Sequence, residues 1–345
     1  MDRFLCFGST QSGSPNAAGA QSGPSNATGT QAGDQAGDAI KIPPTISMAK
    51  LRKATGNFSY GNQISTEYSV QVFEGKLWTW RKRMTVAVKR LRLGDGRDAD
   101  YGRELGMLSR LNHRHIINLV GCYDGHRDNV RFLVYEFMPL GNLFDCIRVS
   151  RTREGPLSWR TRMKIGAGVA KGLSYLHNRA IPRVIHSDLK SCNVLLDKGC
   201  RPKISGFRSA LSVPIGQPAI VTTEAVTGTD PYRAPEALTR TITDKSDVFS
   251  FGALLLEITS GNVHLDRNYV KFPENFVDVA DRRMGEFQMV ELVKVVTLIR
   301  HCIEENPDSR PEMSVVEQAM RNLAGERNVD WPQEHLDTEE MRLSF

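Results

Sequence analysis

The stretch VIHSDLKSCNVLLD, residues 184–197, places an acid, an amine and an amide between two apolar runs. Thirteen residues after Asn193 stands Gly206, and no acid occurs between Lys198 and Ala210. A phosphoryl-transfer enzyme needs a carboxylate at about that distance to hold its metal ion. The stretch therefore raises the question of whether the chain catalyses a reaction or keeps the shape of a catalyst for another use.

The composition is that of an ordinary soluble protein, with 345 residues, 24% charged residues and a pI near 9.0. The net charge of +6 is spread along the chain, so no nucleic-acid partner is predicted. The six cysteines show no metal-binding spacing, which predicts free thiols in a reducing compartment. No apolar run is long enough to cross a membrane, so we expect a cytoplasmic protein.

Residues 1–46 are predicted to be a disordered N-terminal tether. Residues 8–39 are almost entirely small or polar, and such a segment buries too little apolar surface to offset its ordering entropy. Asp2 excludes N-myristoylation, which requires glycine there. Cys6 lies between two apolar residues. It is either S-acylated, which would give peripheral contact with the plasma membrane, or part of a frayed terminus.

The apolar pattern changes from strand-like to helix-like along the rest of the chain. Alternation in VQVFEGKLW and MTVAVKRL predicts two paired strands, and RFLVYEF predicts a third. Ile165, Val169 and Leu173 share one face of a helix that begins after Ser158. The stretch DVFSFGALLLEITSG is apolar nearly all round, which predicts a buried helix that ends at Gly261.

These patterns predict a strand-rich N-terminal half that a short hinge joins to a helical half. The acidic, polar residues 325–345 are predicted to form a C-terminal tail.

Nine motifs follow one another in the order found in eukaryotic protein kinases. They are LRKATGNFS, VAVKRL, LSRLNHRHIINLVGCY, FLVYEFMPLGNL, GVAKGLSYLH, VIHSDLKSCNVLLD, GTDPYRAPE, SDVFSFGALLLEITSG and ENPDSRPEM. So many ordered motifs are specific where a single one would not be. In the residues of these motifs, the chain most resembles the plant receptor-like cytoplasmic kinases. The resemblance covers residues 47–324 and implies the two-lobed α+β protein-kinase fold, with a β-rich N-lobe (about 47–134), a hinge at residues 135–139 and a helical C-lobe (140–324).

The resemblance also implies roles for individual residues. Lys89 matches the lysine that holds the ATP phosphates, and Glu104 matches its partner on a helix. Asp188 matches the catalytic base, while Lys190 and Asn193 match the residues that assist at the phosphate and the metal. The remaining residues that match the ATP site are Val72, Ala87, Tyr135, Glu136, Met138 and Leu195.

The loop that covers the phosphates departs from the family pattern G-x-G-x-x-G. Ser65, Glu67 and Val70 take the three glycine places. Glycine lets backbone N–H groups approach phosphate, whereas an L-residue in the left-handed conformation costs on the order of 1 kcal/mol. The Glu67 carboxylate would in addition repel a triphosphate.

The D-F-G triad of the family is replaced by Gly206, Phe207 and Arg208. The missing aspartate is the main magnesium ligand, so Mg²⁺ is not expected to bind normally and no metal site is predicted. Arg208 can neutralise phosphate charge but cannot bridge and orient the transferred group as a metal does. Ser187 replaces the arginine of H-R-D, which argues against switching by activation-loop phosphorylation.

The structural positions of the family look complete beside these losses. His186 and Phe207 match the apolar column between the lobes, Asp247 matches the acid that holds the catalytic loop, and Glu236 with Arg310 matches a C-lobe ion pair. A chain that keeps the structural residues of the family but lacks its phosphate-binding glycines and metal-binding aspartate resembles a pseudokinase.

The expected function is therefore that of a catalytically impaired scaffold, adaptor or decoy in plant kinase signalling, including immune signalling. Its expected partners are active kinases, receptors or intracellular immune receptors. Two alternatives stay open: a weakly active Ser/Thr protein kinase, and a nucleotide-binding switch without phosphoryl transfer.

The hairpin WTWRKRM, residues 78–84, also has two explanations. Trp78 and Trp80 either form an exposed anchor for a protein partner or pack on the N-lobe sheet.

Overall fold

The computed structural model describes residues 43–67, 70–78, 83–92, 98–125, 129–149, 155–214, 217, 220–221, 228–262 and 280–326. Most of the predicted tether with Cys6, and the C-terminal tail from residue 327, lie outside the described residues. So do Trp80 and the basic residues beside it at the tip of the WTWRKRM hairpin.

The N-lobe is a five-stranded antiparallel sheet in the order β1-β2-β3-β5-β4. A short helix, α1, precedes it, and a second helix, α2, connects β3 with β4. The bounds are α1 Met48–Ala54, β1 Gln63–Glu67, β2 Val70–Trp78, β3 Arg83–Arg92, α2 Asp98–Leu108, β4 Leu119–Gly125 and β5 Val130–Glu136.

The two faces of this sheet bury different clusters, as the alternation of side chains along a strand requires. Val86 and Val88 of β3 face the cluster on the α1 side, whereas Leu91 faces the cluster shared with the C-lobe. Ile46 packs in the α1-side cluster and its N–H donates to the carbonyl of Cys122 at 2.8 Å. Ordered packing thus begins before the predicted boundary at residue 47, because this apolar residue adds to the edge of the sheet.

The C-lobe is mainly helical. Its helices are α3 Leu143–Arg148, α4 Trp159–Asn178, α5 Asp244–Ser260, α6 Met289–Cys302 and α7 Met313–Leu323. Its short strands are β6 Gly141–Asn142, β7 Arg183–Ile185, β8 Val194–Leu196, β9 Pro202–Ile204, β10 Leu211–Val213, β11 Ile220–Val221 and β12 Thr241–Ile242. They form the small sheets β6-β8-β9, β7-β10 and β11-β12.

Both predicted C-lobe helices are confirmed with their ends. The Ser158 hydroxyl accepts the N–H of Thr161 at the start of α4. Helix α5 ends at Gly261, whose φ of 71° is the left-handed conformation that favours glycine. Helix α5 is buried along nearly its whole length, so it forms a central part of the C-lobe core.

The predicted ion pair between Glu236 and Arg310 is also confirmed. The guanidinium donates to both carboxylate oxygens, at 2.7 and 2.9 Å, and lies 4.9 Å from the ring centre of Phe249. Because Arg310 is only 2% exposed, this bidentate pair fastens the segment after β11 to the end of the C-lobe away from solvent.

The β-sheet N-lobe and the helical C-lobe confirm the predicted α+β, two-lobed fold. Residues 135 and 136 of the predicted hinge still belong to β5. Trp78 is 68% exposed, and the Arg83 guanidinium lies 5.6 Å from its ring centre. Packing on the sheet is therefore excluded for Trp78, and an exposed indole is what the anchor hypothesis needs.

Candidate functional site

An ion pair joins the N-lobe sheet to helix α2. The Lys89 ammonium on β3 lies 2.6 Å from a carboxylate oxygen of Glu104, and Glu104 is only 2% exposed. The other oxygen of Glu104 accepts the hydroxyl of Tyr135 at 2.8 Å. Burial and the neighbouring carboxylate raise the pKa of the Tyr135 hydroxyl, so it stays a hydrogen-bond donor. Sequence reasoning missed this role of Tyr135.

Several of the predicted nucleotide-binding residues lie where the N-lobe sheet meets the C-lobe. Val72 pairs with Lys89 across β2 and β3, and Ala87 pairs with Tyr135 across β3 and β5. Ala87 and Leu195 pack against the same apolar cluster, although they come from different lobes. An apolar wall from each lobe beside a lysine ammonium fits a purine nucleotide with its phosphates.

Glu136 and Met138 form hydrogen bonds within the connection between the two lobes. The Glu136 carboxylate accepts the N–H of Asn118 at 2.8 Å and pairs with Lys203 at 2.7 Å. The carbonyl of Met138 accepts the N–H of Gly141 at 3.0 Å, which forms the turn into the C-lobe. The side chain of Glu136 is therefore engaged within the protein instead of facing a nucleotide.

The three former glycine places lie on the β1–β2 hairpin. Ser65 pairs with Val72, and Glu67 pairs with Val70, so strand pairing continues to the end of β1 and the start of β2. Residues 68 and 69 lie outside the described part of the chain. The paired backbone groups of the strands are committed to the sheet, unlike the free N–H groups of a phosphate-binding glycine loop.

The predicted base, Asp188, belongs to a small polar network. The Thr229 hydroxyl donates to Asp188 Oδ1 at 3.0 Å and accepts from the Lys190 ammonium at 2.8 Å. Lys190 Nζ also lies 3.5 Å from Asp188 Oδ2. Sequence reasoning missed Thr229, although it lies within the quoted motif GTDPYRAPE. The arrangement places a carboxylate, an ammonium and a hydroxyl where a substrate hydroxyl could lose its proton.

Asp247 of helix α5 holds the loop that carries this network. Its carboxylate accepts the N–H groups of His186 and Ser187 at 2.7 and 2.9 Å, and lies 2.9 Å from His177 Nε2. Burial alone would raise the pKa of this carboxyl, but the bonds from His177 and His186 hold it below the usual range. Ser187 takes the left-handed conformation, with φ of 65°. Its hydroxyl is buried without a hydrogen-bond partner among the described residues.

Phe207 and His186 are in contact, as expected for residues of the apolar column between the lobes. Their rings meet edge to face at 4.9 Å, and neither residue is exposed. His186 Nε2 lies 2.8 Å from the carbonyl of Ser205. Arg103 of helix α2 donates to the carbonyl of Arg208 at 2.9 Å. The segment 205–208 is thus fixed from both lobes.

The position of the missing metal ligand is filled by an amide. Asn193 Nδ2 donates to the carbonyl of Asp188 at 2.7 Å, and Gly206 has φ of 82°. A Cβ atom on Gly206 would lie 2.6 Å from Asn193 Cγ, which is closer than real Cβ contacts. The described residues contain no cluster of three or more His, Cys, Asp or Glu side chains suited to a metal. Mg²⁺ prefers charged oxygens, whereas the side chain that lies next to position 206 is a neutral amide.

A buried carboxyl group, that of Glu257, joins the segment around Ser191 to the segment around Tyr232. Glu257 of helix α5 accepts the hydroxyls of Ser191 and Tyr232 at 2.9 and 2.6 Å. Burial raises the pKa of Glu257 to about 7, although both hydrogen bonds act in the opposite direction. The residue is therefore partly protonated near neutral pH.

Comparison with known proteins gives one family and several plant relatives. Residues 59–320 match the family described as protein tyrosine and serine/threonine kinase. The probable serine/threonine-protein kinase PBL7 of Arabidopsis thaliana is 38% identical over 304 residues, which cover 83% of this chain and 79% of that protein. PBL23 of the same plant, also named a probable serine/threonine-protein kinase, is 39% identical over 79% of this chain and 74% of its own length.

A third relative is the serine/threonine-protein kinase PBS1 of Arabidopsis thaliana. It is 38% identical over 82% of this chain, and the match spans 64% of its own length. Among the described residues, no helix has both the length and the apolar character needed to cross a membrane.

Proposed function

Because this chain belongs to the protein tyrosine and serine/threonine kinase family, we propose that it binds ATP between its lobes and that its phosphoryl transfer is impaired. The predicted family is confirmed by the match over residues 59–320, and the resemblance to plant kinases is confirmed as homology to the Arabidopsis kinases. Membership of this family implies ATP binding. The impairment is our inference from the site.

The relation between Gly206 and Asn193 carries the proposal. The carboxylate that would hold the metal is absent, and the Asn193 amide packs where a side chain at position 206 would start. A neutral amide oxygen binds Mg²⁺ less strongly than a carboxylate does. We therefore expect weak magnesium binding and no measurable phosphoryl transfer, since the reaction depends on positioning and on neutralising phosphate charge.

The chain's own residues account for what the site retains. Lys89, held by Glu104, would bind the phosphates, and Asp188 would accept the proton of a substrate hydroxyl. Lys190 and Thr229 would hold the Asp188 carboxylate in place. Such a site supports nucleotide binding more fully than it supports transfer.

The second candidate is an active Ser/Thr protein kinase. The names of the relatives favour it over an inert scaffold, since each is called a serine/threonine-protein kinase or a probable one. The intact pair Lys89–Glu104 and the Asp188 network support it as well. The two candidates differ in the rate of phosphoryl transfer that the chain retains without a carboxylate at position 206.

For the cellular role we propose an adaptor or decoy that binds active kinases, receptors or immune receptors in the cytoplasm. The exposed indole of Trp78 supports a protein-binding surface. Peripheral membrane contact through an acylated Cys6 belongs to the same proposal.

Transfer of radiolabelled phosphate from ATP tests the proposal. The purified chain is incubated with Mg²⁺ or Mn²⁺ and casein, beside an Asp188→Asn variant and an active plant kinase. We expect no incorporation above the Asp188→Asn background. Incorporation that Asp188→Asn abolishes would establish the active kinase instead.

Nucleotide binding is measured separately, as the shift in unfolding temperature on adding ATP with Mg²⁺ or with EDTA. We expect stabilisation of similar size in both conditions, because Lys89 remains and the metal ligand does not. No stabilisation in either condition would exclude the nucleotide site and leave a scaffold without nucleotide.

A further inference from the structure

A cleft on the outer face of the N-lobe sheet is separate from the nucleotide site. It has a volume of about 430 Å³. Its lining residues are Met48, Arg52, Asn57, Phe58, Arg90, Val130 and Phe132. Arg90 follows Lys89 on β3, and successive side chains of a strand point to opposite faces. The cleft therefore opens on the side of the sheet away from Glu104.

One wall is a turn in an unusual backbone conformation. Gly56, Asn57 and Phe58 have φ of 59°, 58° and 57°, which is the left-handed region. This conformation is strained for the two residues that carry a side chain, and Phe is rarely found there. Strain of this kind persists only where the surroundings enforce it, and it is concentrated at functional sites.

The buried Thr55 enforces this turn. Its hydroxyl donates to the carbonyl of Leu51 at 2.8 Å and accepts the N–H of Phe58 at 3.0 Å. Its carbonyl accepts from the side chain of Asn62 at 2.8 Å. The wall is thus built as a rigid element before any ligand arrives.

The turn places the Phe58 ring beneath a guanidinium. Phe58 stacks on Phe132 at 5.1 Å, and the Arg90 guanidinium lies 5.5 Å from the centre of the Phe58 ring. Arg90 Nε is buried and has no hydrogen-bond partner among the described residues. Burial, assisted by the charge of Arg92, lowers the pKa of Arg90. The guanidinium of Arg90 is thus a held cation with no acidic partner among the described residues, which favours an anion beside it.

A second cation borders the same cleft. Arg52 is exposed on helix α1, and no acidic side chain in the described ranges pairs with either Arg52 or Arg90. The exposed Asn57 adds an amide at the rim. The floor, formed by Met48, Val130 and Phe132, is apolar. Because Phe132 and Val130 are buried in the N-lobe core, the cleft offers a ligand mainly its two guanidinium groups.

We propose that this cleft binds the phosphate of a phosphoserine or phosphothreonine in a peptide of a protein partner. A phosphate monoester carries a charge of about −1.5 to −2 near neutral pH, which matches two guanidinium groups. Arginine binds phosphate through paired N–H donors, and the stacked Arg90 is already oriented for this. Nothing in this proposal depends on ATP binding or on transfer.

The test is fluorescence anisotropy with the full chain and labelled peptides of the sequence Gly-Leu-phosphoSer-Leu-Gly and its unphosphorylated form. We expect the phosphorylated peptide to bind at least about tenfold more tightly, which is the effect of one charge-assisted hydrogen bond or more. Arg90→Gln and Arg52→Gln should each weaken its binding by about tenfold for the same reason. Arg300→Gln, an equal charge change at an exposed position of helix α6, should leave it unchanged.

Three results would overturn the proposal. They are equal affinity for the two peptides, unchanged affinity in Arg52→Gln and Arg90→Gln, and displacement of the peptide by an equal concentration of inorganic phosphate. The last would indicate a site for the free anion. Arg52 is exposed, so Arg52→Gln is informative even where Arg90→Gln disturbs packing.

Discussion

The side chain of Asn193 occupies the space in which a side chain at position 206 would begin. A Cβ atom on Gly206 would lie 2.6 Å from Asn193 Cγ and 2.7 Å from its Oδ1. Asn193 is held there, because its Nδ2 donates to the carbonyl of Asp188. The lost acid and the packed amide therefore form one local arrangement, and restoring the acid requires the amide to move.

Gly206→Asp should lower the unfolding temperature in the absence of metal. The new side chain meets Asn193, and an L-residue at φ of 82° adds strain on the order of 1 kcal/mol. Adding ATP with Mg²⁺ should restore much of this loss, because the variant gains a carboxylate ligand. Thermal unfolding with and without metal measures both effects.

Gly325→Asp is the matched control for this variant. Gly325 follows helix α7 and has a similar φ of 70°, but no atom lies within 4 Å of a Cβ built there. It should therefore show the backbone strain alone, with no response to metal. Equal loss in the two variants would contradict the role assigned to Asn193.

Lys89→Met should remove most of the stabilisation that ATP gives to the folded chain. The ammonium is the cation aimed at the phosphates, and the loss of one charge-assisted contact weakens binding by about tenfold or more. Thermal shift at a series of ATP concentrations gives the affinity. Lys76→Met, at an exposed position on β2, changes the charge equally and should retain the ATP response. An undiminished response in Lys89→Met would place the nucleotide elsewhere.

Arg310→Met should lower the free energy of unfolding by roughly 3–5 kcal/mol, because it leaves the Glu236 carboxylate without its buried partner. Glu236→Gln together with Arg310→Met should recover part of this loss, since no uncompensated charge then remains. Denaturant unfolding measures each value. A loss in Arg310→Met as small as that of the exposed Arg300→Met would mean that the pair contributes little.

The raised pKa of Glu257 predicts that the stability of the folded chain depends on pH. Its pKa of about 7 in the folded chain exceeds the ordinary value of 4.5, so the folded state keeps a proton that the unfolded chain releases. The contribution of Glu257 to the free energy of unfolding must therefore fall as pH rises from 4.5 to about 7.

Glu257→Gln removes this proton equilibrium while it keeps the size of the side chain. Relative to the wild type, the variant should gain stability between pH 5 and pH 7, on the order of 1–3 kcal/mol. Denaturant unfolding at both pH values gives the difference. Parallel pH profiles of the two proteins would show that Glu257 is not protonated in the folded state.

The ordered motifs predicted the fold and most of the site, because each motif fixes residues at set distances within one local element. Lys89 with Glu104, and His186 with Phe207, are in contact as the sequence predicted. Thr229 was missed, because its bond to Asp188 joins residues 41 positions apart. The exposed Trp78 could not be foreseen either, since alternation gives the face of a strand but not what covers that face.

The sequence by itself determined that this chain is a two-lobed kinase fold without a carboxylate at position 206. Both follow from the identity and order of residues. Only the tertiary structure decided what takes the place of the lost ligand, because the packing of Asn193 on Gly206 depends on two loops that meet in space. The surroundings of Arg90 were likewise decided by the tertiary structure, although the sequence shows its charge. Its stacking on Phe58, and the lack of a described acidic partner, result from how helix α1 and the turn after it fold back on the sheet.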